Sequence, residues 1–338
     1  MDSRFRAAQA AASVIARHGR RLAGLPGTHL GRVVAPGRAF SELGTWHYWW
    51  QAHYVDALLD AARRERAPHG PHARLARRVI RTIRLHNAFR YVNSYTDDMA
   101  WLGLAAQRLE ALDPGVRLGP LHRVIARELE AASTPELGGG SWWSRDRDFK
   151  NTPATAPVSL YFARAGRTAR ARGLVDWLVA NLLDAESGLF LDGIHLNRDG
   201  GTTVAREIYS YNQGPVLGTL LALGTREDLA RAEALVHAVA EHLTRPDGTL
   251  ITHGPGDGGL FTGILARYLA LAALDERLTT AVRGTARSLV TATAGAFWAG
   301  RERVADAWVF PGASDVELSS QLQAWMSLEA AARLNESN

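Results

Sequence analysis

The chain contains no cysteine. Disulfides, thiolate metal sites and a cysteine nucleophile are therefore excluded. Lysine is nearly absent: Lys150 is the only one, so arginine carries almost all of the positive charge. No apolar run approaches the roughly 20 residues that a membrane-crossing helix needs. Gln9 and Ser13 interrupt the apolar stretch from Ala7 to Ala16, and no cleavage-type segment follows it. This N-terminal segment reads as an amphipathic helix, and we expect a soluble, cytoplasmic protein with no membrane span. There is no nucleophile elbow and no His-Glu-x-x-His metal motif. Gly256-Asp-Gly-Gly-Leu-Phe-Thr-Gly263 resembles a phosphate loop, but it lacks the preceding strand and the Lys-Ser/Thr pair. No low-complexity tract divides the chain, so we expect one domain over residues 1–338.

What is present is ordinary globular composition: 46% hydrophobic, 22% charged, net charge +5 over 338 residues. The arginines are interleaved with acids and alanines instead of forming a stripe, which argues against a nucleic-acid partner. Tryptophan is the abundant oddity, at ten residues, six of them at Trp46, Trp49, Trp50, Trp101, Trp142 and Trp143. Beside glycines and polar residues, such rings suit either a core or the apolar face of a sugar.

Helical periodicity dominates and predicts about twelve helices, near 3–22, 46–66, 73–88, 97–112, 119–132, 151–165, 167–184, 207–223, 227–243, 258–273, 276–294 and 315–334. Strand signals are weak; 188–192 and 249–252 are candidates for loop hairpins. The connections alternate in character. Those before the helices at 46, 97, 151, 207 and 258 are rich in aromatics, amides, acids and glycines, while those before 119, 167, 227 and 276 are short and plain. Hairpins that bring every second loop to one side would gather the rich loops at one mouth. The expected architecture is therefore all-α: an (α/α)6 toroid with a cleft at that mouth.

The densest candidate site is Asn93-Ser-Tyr-Thr-Asp-Asp-Met-Ala-Trp101. Asp97 and Asp98 stand where a helix begins, which suits capping and the helix dipole. A carboxylate pair beside aromatics also suits glycosidic-bond cleavage, where one acid protonates the leaving oxygen and the other attacks. A charge at Asp97 would raise the pKa of a buried partner. Trp46, Trp49, Trp50 and His53 share one helix face, either as core or as cleft wall. Gly138-Gly-Gly-Ser-Trp-Trp143 reads as a mobile loop or as a ligand platform. Asn212 and Gln213 offer amides to sugar hydroxyls or satisfy a buried helix start. Asp257 is a third acid or a cap.

In this order, His47-Tyr-Trp-Trp-Gln-Ala-His53, Asp97-Asp-Met-Ala-Trp101, Gly138-Gly-Gly-Ser-Trp-Trp143 with Phe149-Lys-Asn151, Tyr211-Asn-Gln-Gly214, and Gly256-Asp-Gly-Gly-Leu-Phe261 with Arg267-Tyr268 resemble glycoside hydrolase family 76, the α-1,6-mannanases. Leu25-Pro-Gly-Thr28 resembles actinobacterial members, and the chain reads as an intracellular representative. The resemblance implies an (α/α)6 toroid and retaining, endo-acting cleavage of an α-1,6-mannan or manno-oligosaccharide, with no cofactor and no metal. It implies Asp97 as nucleophile and Asp98 as general acid/base. Trp101, Trp142, Trp143, Asn212, Gln213, Asp257 and Phe261 match its motif positions and are expected at the substrate, together with Trp46 and Tyr95. Two other readings use the same toroid: a catalytically silent sugar-binding protein, and a sugar epimerase built on His47, His53, His195 and His253.

Overall fold

A computed structural model describes residues 2–38, 41–310 and 317–335. Twelve α-helices run through the described residues: α1 (Ser3–His18), α2 (Tyr48–Arg64), α3 (Pro71–His86), α4 (Thr96–Leu112), α5 (Gly119–Ala132), α6 (Thr152–Arg164), α7 (Thr168–Leu182), α8 (Ser210–Leu223), α9 (Arg226–His242), α10 (Gly258–Leu274), α11 (Thr280–Ala299) and α12 (Leu318–Leu334). The even-numbered helices form an inner ring. Each packs on the next, and α12 packs back on α2 to close the circle. The odd-numbered helices lie outside, each against its inner neighbours. This is the (α/α)6 toroid expected from the sequence. No helix of the described residues is long and apolar enough to cross a membrane.

The two rings differ in residue pattern for a physical reason. An outer helix buries one stripe. In α3, Ala73, Ala76, Val79, Ile80 and Ile83 are buried, and arginines occupy the exposed positions between them. An inner helix is covered on both sides, so it is buried nearly all round. In α10 every residue from Gly259 to Ala270 is buried. The polar groups such helices carry must be paired inside. Arg108 of α4 bonds Asp56 and Asp60 of α2, and Arg267 of α10 reaches Asp60 at 2.8 Å and Asp56 at 3.4 Å. Burial works against ionising Asp60, but the two guanidiniums outweigh it and hold its carboxyl well below the usual range.

Several boundaries differ from the sequence reading. Helix α2 begins at Tyr48, because His47 adopts φ 44°, ψ 93°. Trp46 therefore lies outside the helix, and the shared face shrinks to Trp49, Trp50 and His53. Helix α1 stops at His18, where Gly19 and Arg20 (β1) pair with Leu30 and Gly31 (β2). The expected start of the last helix at 315 lies outside the described residues.

The segments 188–192 and 249–252 each pair antiparallel across a short loop with the chain just past the preceding helix, Leu183 bridging Phe190 and Thr244 bridging Leu250. The larger sheet is elsewhere: β3 (Phe149–Asn151), β4 (Gly193–Leu196) and β5 (Thr202–Ala205), antiparallel, with Phe149 opposite His195. A final hairpin joins β6 (Glu302–Val304) to β7 (Ala307–Val309). Strands of two to four residues are too short to show alternation.

Candidate active site

The segments preceding α2, α4, α6, α8 and α10 meet at one end of the ring and line a cleft of about 780 Å³. Asp97 and Asp98 lie in it, on the first turn of α4. That turn is fixed from outside the helix. Thr96 N donates to Trp143 O at 2.8 Å, and Tyr95 N donates to Asn93 Oδ1 at 3.0 Å. The carboxyls then receive different partners. Asp97 is half-buried, and its Oδ2 accepts from Trp143 Nε1 at 3.2 Å. Asp98 is buried, and its Oδ2 accepts from Asn93 Nδ2.

Burial raises the pKa of both acids. For Asp97 it is opposed by the Trp143 indole and by backbone N–H groups of the helix start, and the balance lies at about 7. Asp98 is pushed well above the ordinary carboxylate range, by burial and then by the charge of Asp97 beside it. Asp257, across the cleft, raises both further. Burial thus biases both carboxyls toward the protonated form, and the charge of each acid adds to the bias on its neighbour.

Rings surround the acids. Trp46, Trp49, Tyr95, Trp101, Trp143 and Phe261 all line the cleft. Tyr211 stacks on Phe261 with centroids 3.9 Å apart, and Tyr95 stands 5.0 Å from Trp143. Trp143, packed against Tyr95 and Phe149, is still 37% exposed, unusual for a tryptophan.

The sequence profile of glycosyl hydrolase family 76 matches residues 7–332. The chain belongs to this family. It is therefore a glycoside hydrolase. Among solved structures it is similar to the GH76A α-1,6-mannanase from Salegentibacter sp. HEL1_6, at 28% identity and TM-score 0.85, over 98% of this chain and 100% of that one. An inactive variant of that enzyme, with two consecutive aspartates changed to asparagine, was solved with α-1,6-mannotriose; it matches at 27% identity and TM-score 0.86, over 98% of this chain and 100% of that one. The Lin0763 protein from Listeria innocua shares the fold at 24% identity and TM-score 0.86, over 100% of this chain and 99% of that one. No curated protein sequence matches the chain.

Three residues expected at the substrate of this family 76 enzyme lie elsewhere. Trp142 is buried on the far side of its strand-like segment, under the Lys150 ammonium at 4.6 Å. Successive residues of extended chain point opposite ways, so Trp143 faces the cleft and Trp142 cannot. Asn212 and Gln213 are fully buried. Asn212 Nδ2 donates to Asp192 Oδ1 at 3.2 Å, and Gln213 bonds Phe190 N, Phe190 O and Tyr209 O. They support the wall, and the rings of Tyr209 and Tyr211 form it. Asp257 lines the cleft, and its Oδ1 accepts from Trp49 Nε1 at 3.1 Å and Trp50 Nε1 at 2.8 Å.

The four histidines do not converge. His47 lines the cleft and stacks on Trp50 at 4.1 Å. His53 is buried against Trp101, and burial lowers its pKa to about 3. His195 is exposed on β4, and His253 bonds Ser210 at the start of α8.

The sequence reading missed Asp192, which also lines the cleft. Burial lifts its carboxyl to about 6 against the Asn212 hydrogen bond. It follows Leu189-Phe-Leu191, so it looked like the end of a strand.

Proposed function

We propose that the protein cleaves α-1,6-mannosidic linkages in α-mannan or manno-oligosaccharides, with retention of configuration. The observation that carries this reading is the asymmetry of Asp97 and Asp98 within a ring-lined cleft. Asp97 attacks the anomeric carbon while Asp98 delivers its proton to the departing 6-oxygen. The glycosidic bond breaks, and a mannosyl ester forms on Asp97. Asp98, now ionised, takes a proton from water; the water oxygen displaces Asp97 from the anomeric carbon. Retention needs carboxyls roughly 5–5.5 Å apart, which neighbours on a first helical turn are able to meet. The linkage and sugar rest on the Salegentibacter enzyme, which is an α-1,6-mannanase inactivated by asparagine at two consecutive aspartates. Trp46, Tyr95, Trp101, Trp143 and Phe261 stack on or border the sugars, and Asp257 accepts hydrogen bonds in the same cleft.

The test is reducing-end release from an α-1,6-mannan, with the first-formed anomer read by NMR. Wild type releases the α anomer. Asp97→Asn and Asp98→Asn each lower turnover by about 10³-fold or more, the scale of losing a nucleophile or a proton donor. Binding without release in wild type would instead support a silent sugar-binding protein.

A further inference from the structure

Lys150 is the only lysine of the chain, and its side chain has no exposure. From β3 it reaches under the glycine-rich loop at 134–143. Its Nζ donates to the carbonyls of Thr134 (2.8 Å), Glu136 (2.6 Å) and Gly139 (2.7 Å), and to Thr134 Oγ1 (3.1 Å), with the Gly140 carbonyl at 3.5 Å. An ammonium has three donors and no acceptor, so convergent oxygens suit it as they suit a bound cation. Burial lowers its pKa to about 8, with Glu136 opposing.

The loop's backbone is bent to make this cage. Leu137, Gly138, Gly139 and Gly140 all have positive φ (56°, 78°, 132° and 74°). Leu137 is strained there, and strain of this kind persists only where surrounding contacts enforce it. Any side chain at Gly140 would put its Cβ 2.6 Å from the Trp177 ring. The far end of the loop reaches the acids. Trp143 N bonds Phe149 O, Trp143 O accepts from Thr96 N, both at 2.8 Å, and Trp143 Nε1 donates to Asp97.

We propose that Lys150 is a positioning residue: an internal cation that gathers the 134–143 loop and so holds Trp143 where its indole donates to Asp97. This rests on Asp97 as nucleophile. Donation to Asp97 favours its ionised form. A slack loop would therefore raise the pH at which Asp97 becomes active. The titratable groups that face Asp97 are Asp98 on α4, Asp257 at the start of α10 and Tyr211 on α8, with Asp192 in the same cleft. A Lys150 substitution leaves all of them in place.

The experiment compares Lys150→Met, which keeps the length and loses the charge, with Trp143→Phe and with both together. Lys150→Met is expected to lower kcat about tenfold and to move the acid limb of the pH profile up by about one unit, the scale of one lost charge-assisted hydrogen bond. The double variant moves it no further than Trp143→Phe alone. With Asp97→Asn inactive, an unmoved limb in folded Lys150→Met, or additive shifts, would overturn the proposal. Coupling is reciprocal, so a second measurement leaves Lys150 intact. Isotope-labelled lysine gives one side-chain signal, and in Trp143→Phe its ammonium protons exchange faster. Identical signals in the two proteins overturn the proposal even if Lys150→Met does not fold. Because this readout needs no turnover, it decides Lys150 separately if Asp97→Asn retains activity and the catalytic assignment fails.

Discussion

Asp97 and Asp98 differ by one position and by little else in the chain. At the residue scale, their surroundings make them different chemicals: one faces an indole N–H and the helix start, the other lies deeper beside its partner's charge. Neither acid is the cap: the N-cap position is Tyr95, with no side-chain cap hydrogen bond, and both carboxyls sit in the first turn, where the helix dipole favours negative charge. Activity should need ionised Asp97, so the acid limb of kcat/KM is expected near neutrality, at about 7, and far above the 4 of a free aspartate. A limb near 4 would contradict the assignment. Stability should run the other way. The folded pKa of Asp98 is raised, so the folded state favours its proton, and stability is lost as pH climbs above about 4. Asp98→Asn removes that loss. It should unfold at higher denaturant than wild type, by about 1–2 kcal/mol at pH 8, with the gap closing toward pH 4. The acids were legible because they are contiguous and carry a recognisable neighbourhood. Asp192 was not: its pairing with Asn212 spans a sheet and a helix start, and no local pattern marks it.

Elements were legible where their environment repeats. The rich loops all precede inner helices, and the described ones supply the cleft, so their alternation with plain loops mapped directly onto the two rings. Trp142 and Trp143 were read as a pair because nothing in the sequence marks the short antiparallel pairing that sends them apart. Inner helices conceal another determinant, the spacing between their axes. Gly263 of α10 faces the backbone of α12, and a Cβ there would stand 2.8 Å from both Cα and O of Gln323. Gly284 of α11 is exposed, with nothing near its absent Cβ. The same substitution should act in opposite directions. Gly263→Ala is expected to destabilise by about 1–3 kcal/mol through overpacking. Gly284→Ala should stabilise by about 0.5–1 kcal/mol, from helix propensity alone. Urea unfolding of the two variants checks both signs.

The whole molecule is a ring only because α12 returns to α2, and that seam holds a buried ion pair. Arg64 Nε meets Glu329 Oε2 at 3.0 Å, and Trp325 Nε1 donates to Glu329 Oε1 at 3.0 Å. The two partners respond differently to loss. Arg64 cannot shed its charge. Glu329 can take a proton, and burial already pushes its carboxyl up to about 7, with Arg64 opposing. Glu329→Gln should therefore be the costlier change, by about 3 kcal/mol, since among the described residues Arg64 keeps only the 3.8 Å contact to Glu65 as a charged partner. Arg64→Met should cost less at pH 5, where Glu329 is protonated, and more at pH 8. The sign follows from a raised folded pKa, which removes stability as pH rises through it. Arg64 ends α2, whereas the cleft is lined at its start, about 25 Å away for a helix of 17 residues. Both variants should thus keep wild-type kcat/KM under native conditions while unfolding at lower urea. A parallel loss of kcat/KM in fully folded protein would show that the seam also shapes the cleft.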